Sequence, residues 1–266
     1  MPEATDPATP APAAPDAAPA LVRDDLAEVA EATERLLRTV AGLEPAALAE
    51  PSLLPGWTRG HVLAHLARHA DSLVNLLTGA RTGQDIPQYA GEDARDRGIQ
   101  DGAGRPLGEQ LADLRASHER FAEAAAAMPA DAWSTMLRHR HGYTFPASEI
   151  PGKRLVELEY HHVDLDAGYT PAHWSAAFAD HELERLAAKF RAAPEVEPVR
   201  LLVEAAEREL RIGPPADRPE LTVEGPVRAL AAWLSGRSDG DGLQVHRDGV
   251  QLTDPRTALP KLPPMG

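Results

Sequence analysis

The sequence predicts a mainly α-helical chain in which an N-terminal four-helix bundle precedes a small α+β domain. Four amphipathic segments separated by loops precede residue 170, and this is the pattern of a helix bundle. After residue 170, short β-branched or alternating runs bounded by Gly, Pro and Asp predict strands. The 266 residues also exceed the typical domain of about 150 residues. We therefore predict a disordered Pro/Ala-rich tail over 1–20, the bundle over 21–170 and the α+β domain over 171–266.

Apolar residues spaced three and four apart predict the bundle helices. Thr58 is the expected N-cap of the second helix, and Gly168 the expected C-cap of the fourth. The polar stretch from Thr82 to Arg105, rich in Gly and Asp, predicts a long connection, and 138–153 predicts a second irregular segment that is basic and rich in His. The predicted helices are Asp24–Leu43, Arg59–Ala80, Pro106–Met128 and Arg154–Ala167.

The second domain is expected to begin with a further helix and to continue with a small sheet. Residues 171–193 have helical periodicity, and 227–236 predict a helix that packs on the sheet. The predicted strands lie within 196–205, 207–213, 221–225 and 243–252.

Composition excludes several classes of function. Lys and Arg total 27 against 41 Asp and Glu, which gives a net charge of −14, and no basic patch is present to bind nucleic acid. No apolar run approaches the roughly 18 residues that span a membrane, and the first twenty residues lack the basic and apolar regions of a signal peptide. We expect a cytoplasmic protein. The chain has no cysteine, which excludes disulfides, a cysteine nucleophile and metal sites built on thiolates.

Histidines and carboxylates on two predicted helices could form a metal site. His61, His65 and His69 stand one turn apart on the second helix, and His65 and His69 border its apolar stripe. Buried imidazoles need a partner, and several are available on the fourth helix.

On the fourth helix, Glu157, His161 and Asp164 share one face. Two imidazoles and a carboxylate with an open fourth position are typical of catalytic zinc, and Asp164 is placed to fix the tautomer of an imidazole. Chance spacing on exposed faces and a simple surface ion pair are the alternatives. The other histidines belong to no comparable group.

Two motifs carry a family resemblance. The runs LPGWTRGHVLAHLARHADSLVNLL (54–77) and RLVELEYHHVDLDAGY (154–169) resemble those of the mycothiol-dependent maleylpyruvate isomerases, which belong to the DinB-like superfamily of metal-binding four-helix bundles. The order of bundle and small α+β domain also agrees, so the resemblance covers roughly Leu21 to Thr253. The Pro/Ala-rich tail and the basic segment 138–153, which could reshape the substrate entrance, depart from the family pattern.

The resemblance implies that the metal ligands are His65, Glu157 and His161, with Asp164 beside the site. It also implies a functional role for Arg237, which would hold a substrate carboxylate or a developing enolate oxygen. The alternative for Arg237 is an arginine that bonds the last carbonyls of a helix. Arg154 matches a family position as well, although an ion pair within the bundle would explain it equally.

By the same resemblance, the cofactors are mycothiol and a divalent metal. Zinc is favoured over iron, nickel or manganese. The implied reaction is a cis–trans isomerisation of maleylpyruvate or a similar unsaturated keto acid, in which the mycothiol thiolate adds, the former double bond rotates and the thiol is eliminated. The alternatives are a mycothiol S-transferase acting on another electrophile and a non-catalytic module that binds metal or thiol. The oligomeric state is not predicted.

Overall fold

Five α-helices, rather than four, form the first half of the chain. We describe them in a computed structural model that covers residues 19–204, 206, 208–216 and 221–263; residues 1–18 of the predicted tail lie outside this range. The chain divides into two compact units, with the boundary between Ala167 and Gly168. The helices of the first unit are α1 (Ala20–Ala41), α2 (Arg59–Thr82), α3 (Ala94–Ala103), α4 (Leu107–Ala126) and α5 (Ile150–Asp164).

The bundle consists of the four predicted helices, α1, α2, α4 and α5. Helices α1 and α2 each contact both α4 and α5. Their apolar stripes meet in a buried core, which removes apolar surface from water and supplies the main stabilising free energy. The largest fully buried members of this core include Leu36, Leu63, Leu66, Leu73, Leu77 and Phe121.

Thr58 is the N-cap of α2, as predicted, and forms two hydrogen bonds with His61. The backbone N–H of His61 donates to the Thr58 hydroxyl, and the Thr58 backbone N–H donates to His61 Nδ1. This reciprocal capping satisfies two backbone donors that the first helical turn leaves free. At its other end α2 stops at Gly83, whose φ of 70° suits glycine.

The long connection predicted over 82–105 is wrong in part, because it contains α3. Two of its glycines, Gly98 and Gly102, are needed for close packing of α3 on α2. A Cβ on Gly102 would lie 2.8 Å from the Cβ of Ala64, and one on Gly98 would lie 3.2 Å from the stem of Arg68. A Cβ on Gly60 of α2 would lie 2.2 Å from the carbonyl oxygen of Ala103. Here glycine marks close backbone approach rather than a turn.

The irregular segment predicted over 138–153 also contains regular structure. Strands β1 (Met136–Arg138) and β2 (Thr144–Pro146) pair antiparallel. Helix α5 begins at Ile150, earlier than predicted, because Pro151 is accommodated in its first turn, where no N–H is needed. The helix ends at Asp164, so that Gly168, with φ of 86°, lies beyond the C-cap.

The second unit has the predicted α+β composition. Helix α6 (Ala176–Arg191) precedes β3 (Val199–Val203), β4 (Arg208–Ile212) and β5 (Leu221–Gly225), and α7 (Val227–Leu234) connects β5 to β6 (Gln244–Arg247) and β7 (Val250–Gln251). The strand order is β4-β3-β5-β6-β7, with β3 and β5 parallel and the other neighbours antiparallel. A short helix, α8 (Pro255–Ala258), follows.

Helices α6 and α7 pack on each other and against this sheet. The mainly helical fold class, with a small C-terminal sheet, is confirmed. Across the described residues, no helix is both long and apolar enough to cross a membrane.

We predict that Gly60→Ala lowers the free energy of unfolding by about 1–3 kcal/mol, because the new methyl group would clash with the backbone of α3. Gly108→Ala is the matched control, since a Cβ there would meet nothing within 4 Å, and we expect no loss of stability from it. Chemical denaturation of both variants measures the difference. Equal stability of the two would mean that α3 does not need this contact.

Candidate metal centre

The side chains of His65, Glu157 and His161 converge between α2 and α5. Glu157 Oε2 lies 2.8 Å from His65 Nε2 and 3.3 Å from His161 Nε2. One ligand atom from each residue lies within 4.8 Å of the other two. Tetrahedral zinc, with ligands about 2.0–2.1 Å away, places its ligand atoms about 3.3 Å apart. The donor set and its spacing therefore fit a divalent metal.

Asp164 supports the second imidazole. Its Oδ2 lies 2.8 Å from His161 Nδ1, on the side of the ring opposite Glu157. A carboxylate in this position fixes the proton on Nδ1 and leaves Nε2 free as a metal ligand. The hydrogen bond is the one that the spacing on the fourth helix predicts, and the role of Asp164 in metal binding stays a prediction.

The three ligands differ in their exposure. The side chain of His65 is 5% exposed and that of His161 is 14% exposed, whereas that of Glu157 is 30% exposed. The two imidazoles are therefore largely shielded from solvent, and solvent contacts the cluster mainly at the Glu157 carboxylate. A fourth ligand from solution would approach from this side.

Burial and mutual contacts set the protonation of the cluster. Burial lowers the pKa of His65 to about 4, in opposition to its hydrogen bond with Glu157. Burial alone would raise the pKa of Glu157, but His69 and the hydrogen bonds with His161 and His65 outweigh it and hold that pKa well below its usual value. At neutral pH, a neutral His65 and an ionised Glu157 are in the states that bind metal.

His161 has the opposite shift. Burial lowers its pKa, but hydrogen bonds with Asp164 and Glu157 outweigh this and raise it. A metal ion would displace a proton from this ring.

The neighbouring histidines of α2 lie outside the cluster. His61 is held by Thr58 at the helix start, and its ring stacks on Trp57. His69 is buried, with Nδ1 3.3 Å from Nη1 of Arg154, and burial lowers its pKa to about 3. Of the three histidines that the spacing left open, the structure thus brings only His65 to Glu157.

Arg154 is buried in the bundle rather than exposed at the site. Its Nη1 donates to the carbonyl oxygen of Leu66, at 2.9 Å. Among the described residues no carboxylate forms an ion pair with it, so the ion pair offered as its alternative explanation is not seen. Burial lowers its pKa to about 10.

Two residues that the sequence analysis did not single out contact His65. The Trp57 ring lies edge-on to it, with centroids 5.5 Å apart. Arg95 Nη2 lies 3.5 Å from His65 Nδ1, and the guanidinium lies over Trp57. Arg95 belongs to α3, whose sparse apolar residues give little sign of a helix. Only recognition of α3 would have indicated this arginine.

Arg237 lies in the second unit, just after α7. Its Nη1 donates to the carbonyl oxygen of Ser235, and its backbone N–H donates to that of Ala232. These bonds are those of an arginine at a helix end. The functional role of Arg237 stays a prediction.

Comparison with known proteins gives matches over nearly the whole chain. Residues 29–166 match the family model described as the mycothiol maleylpyruvate isomerase N-terminal domain, and residues 173–261 match the corresponding C-terminal domain. Two solved structures are similar, a mycothiol-dependent maleylpyruvate isomerase and a variant of it with one histidine replaced by alanine. Each is 27% identical with a TM-score of 0.78, covering 88% of this chain and 95% of the solved one. No curated protein matched.

We predict that the protein binds one zinc ion per chain. His65→Ala or His161→Ala should weaken this binding by more than about a hundredfold, because loss of a ligand costs more than loss of a residue that only hydrogen-bonds a ligand. Equilibrium dialysis with metal analysis measures the affinity. His118→Gln is the matched control, since His118 is a half-buried histidine of α4 whose ring contacts Thr33 rather than the cluster. Full zinc occupancy in His65→Ala would contradict the ligand assignment.

Proposed function

The chain belongs to the mycothiol maleylpyruvate isomerase family, and we propose that it catalyses the mycothiol-dependent cis–trans isomerisation of maleylpyruvate or a similar unsaturated keto acid. The observation that carries the proposal is the cluster of His65, Glu157 and His161, whose donor atoms are spaced for a metal ion and open to solvent on one side. The absence of cysteine is consistent with a reaction whose thiol is supplied by a cofactor.

The metal is proposed to be zinc, because two imidazoles and one carboxylate are a common zinc set. Bound there, a divalent cation would favour the thiolate form of mycothiol at neutral pH, and such a thiolate is the nucleophile that a conjugated double bond requires. Within the chain, His65, Glu157 and His161 would hold the cation. Asp164 keeps the proton of His161 on Nδ1, where it does not compete for the metal.

A charged group beside the cluster would orient an anionic substrate. Arg95 lies beside His65, and its guanidinium lies over the ring of Trp57. Nη1 of Arg95 is paired with Asp96, and Nη2, beside His65, is the group that would bind a substrate carboxylate. We assign to Arg237 the role that the family resemblance implies, which is to hold a substrate carboxylate or the developing enolate oxygen. A fixed charge of this kind stabilises a transition state that accumulates negative charge on oxygen.

The decisive test is turnover of maleylpyruvate by zinc-loaded protein with mycothiol present or omitted. We expect fumarylpyruvate to form only when the thiol is present, and His65→Ala to be inactive. Absorbance of the two isomers follows the reaction, and mass spectrometry follows the thiol. Accumulation of a stable thiol adduct would instead indicate an S-transferase. Absence of any reaction, with zinc and mycothiol bound, would contradict the proposal.

A second test addresses Arg237. We expect Arg237→Ala to lower turnover by about a hundredfold or more while zinc content stays unchanged, as for other losses of a fixed donor to a developing oxyanion. Because Arg237 also bonds the end of α7, thermal unfolding of the variant must be measured in parallel. Arg211→Ala is the control, since Arg211 is an exposed arginine of the same unit paired with Glu209. Unchanged turnover in folded Arg237→Ala would remove this residue from the mechanism.

A further inference from the structure

The β1–β2 hairpin carries basic and aromatic side chains that the proposed mechanism does not use. His139 stacks between His141 and Tyr143, with ring centroids 5.0 and 4.4 Å away. Arg138 and Arg140 are exposed on the same hairpin. In a protein of net charge −14, this local concentration of positive charge attracts anions.

Buried side chains tie the backbone of this hairpin to α2. The N–H of Arg140 donates to Oε1 of Gln88, at 3.3 Å. The amide of Gln88 is buried, and its Nε2 donates to the Ser72 hydroxyl, which in turn donates to the carbonyl oxygen of His69. His69 is one turn from the metal-ligand candidate His65. These bonds hold the backbone of Arg140 close to the helix that carries the site.

Tyr89 interacts with Arg140 and with Glu157 of the cluster. The Arg140 guanidinium lies over its ring, 6.0 Å from the centroid. Burial raises the pKa of Tyr89, in opposition to a hydrogen bond with Ser72 and to the charges of Arg95 and Arg140, while the charge of Glu157 raises it further. The phenol thus stays protonated at neutral pH and interacts electrostatically with both the cluster and the hairpin arginine.

Arg140 has no acidic partner in the part of the chain that the structure describes. Its Nε contacts His141. By contrast, Arg68 and Arg120 of the same unit are paired with Asp71. A guanidinium that lies over Tyr89 and has no carboxylate partner among the described residues can form charge-assisted hydrogen bonds with an anionic ligand.

We propose that Arg140, with Tyr89 beneath it, binds the substrate carboxylate that is remote from the reacting double bond. This inference rests on the proposed function and extends it to substrate selection. One end of an open-chain dicarboxylate would lie at the cluster beside Arg95, and its other carboxylate would accept hydrogen bonds from the guanidinium of Arg140. The site then selects doubly charged electrophiles over singly charged ones of the same length.

Binding of two unreactive probes tests this selection. Heptanedioate and heptanoate have the same chain length and differ in one carboxylate. Isothermal titration of zinc-loaded protein gives both dissociation constants, and their ratio reports recognition of the second carboxylate. We expect Arg140→Gln to lower the preference for heptanedioate about tenfold, the effect of losing one charge-assisted bond. Arg138→Gln, on the same hairpin, should leave the ratio unchanged.

Three results would overturn the assignment. They are absence of heptanedioate binding to the wild-type protein, an unchanged ratio in Arg140→Gln, and an equal fall in Arg138→Gln, which would indicate diffuse attraction rather than a site. With maleylpyruvate as substrate, we also expect Arg140→Gln to raise KM about tenfold at unchanged kcat. If the wild-type protein does not isomerise maleylpyruvate, the proposed function fails, whereas the titrations still decide the role of Arg140.

Discussion

The pairing of an ionised carboxylate on α5 with an imidazole on α2 is the constraint on which the site depends. A charged Glu157 inside a helix bundle is unfavourable unless donors surround it. His65 and His161 supply those donors, and Asp164 supports His161 in turn. Because the partners come from two helices, the cluster forms only when α2 and α5 pack in one register. The apolar core that sets this register therefore also sets the spacing of the ligand atoms.

The sequence predicts the centre of the site better than its surroundings. Glu157, His161 and Asp164 lie on one helix, so their common face follows from the helical period alone. His65 required the family resemblance, since His61 and His69 satisfy the same spacing. The structure explains why those two are excluded: the first caps its helix and the second contacts a buried arginine. Neither contact can be inferred from the spacing of residues on α2.

The residues missed by sequence reasoning belong to segments whose composition resembles that of loops. Helix α3 contains Gly98 and Gly102 and buries little apolar surface of its own, so periodicity gives no signal. The β1–β2 hairpin has strands of three residues, too short for alternation to be recognised. Both segments gain their structure from contacts with α2, and a tertiary contact of this kind leaves no local pattern in the sequence.

The glycine contacts between α2 and α3 have a consequence for how the protein can diverge. Where Gly60 lies against the carbonyl oxygen of Ala103, backbone atoms set the separation of the two helices. Substitutions on the solvent face of α3 would then leave the distance between the Arg95 guanidinium and the Trp57 ring unchanged. A relative could change its entrance residues to accept another electrophile without moving the guanidinium nearest the cluster. The close approach of two backbones thus separates the evolution of specificity from that of the catalytic centre.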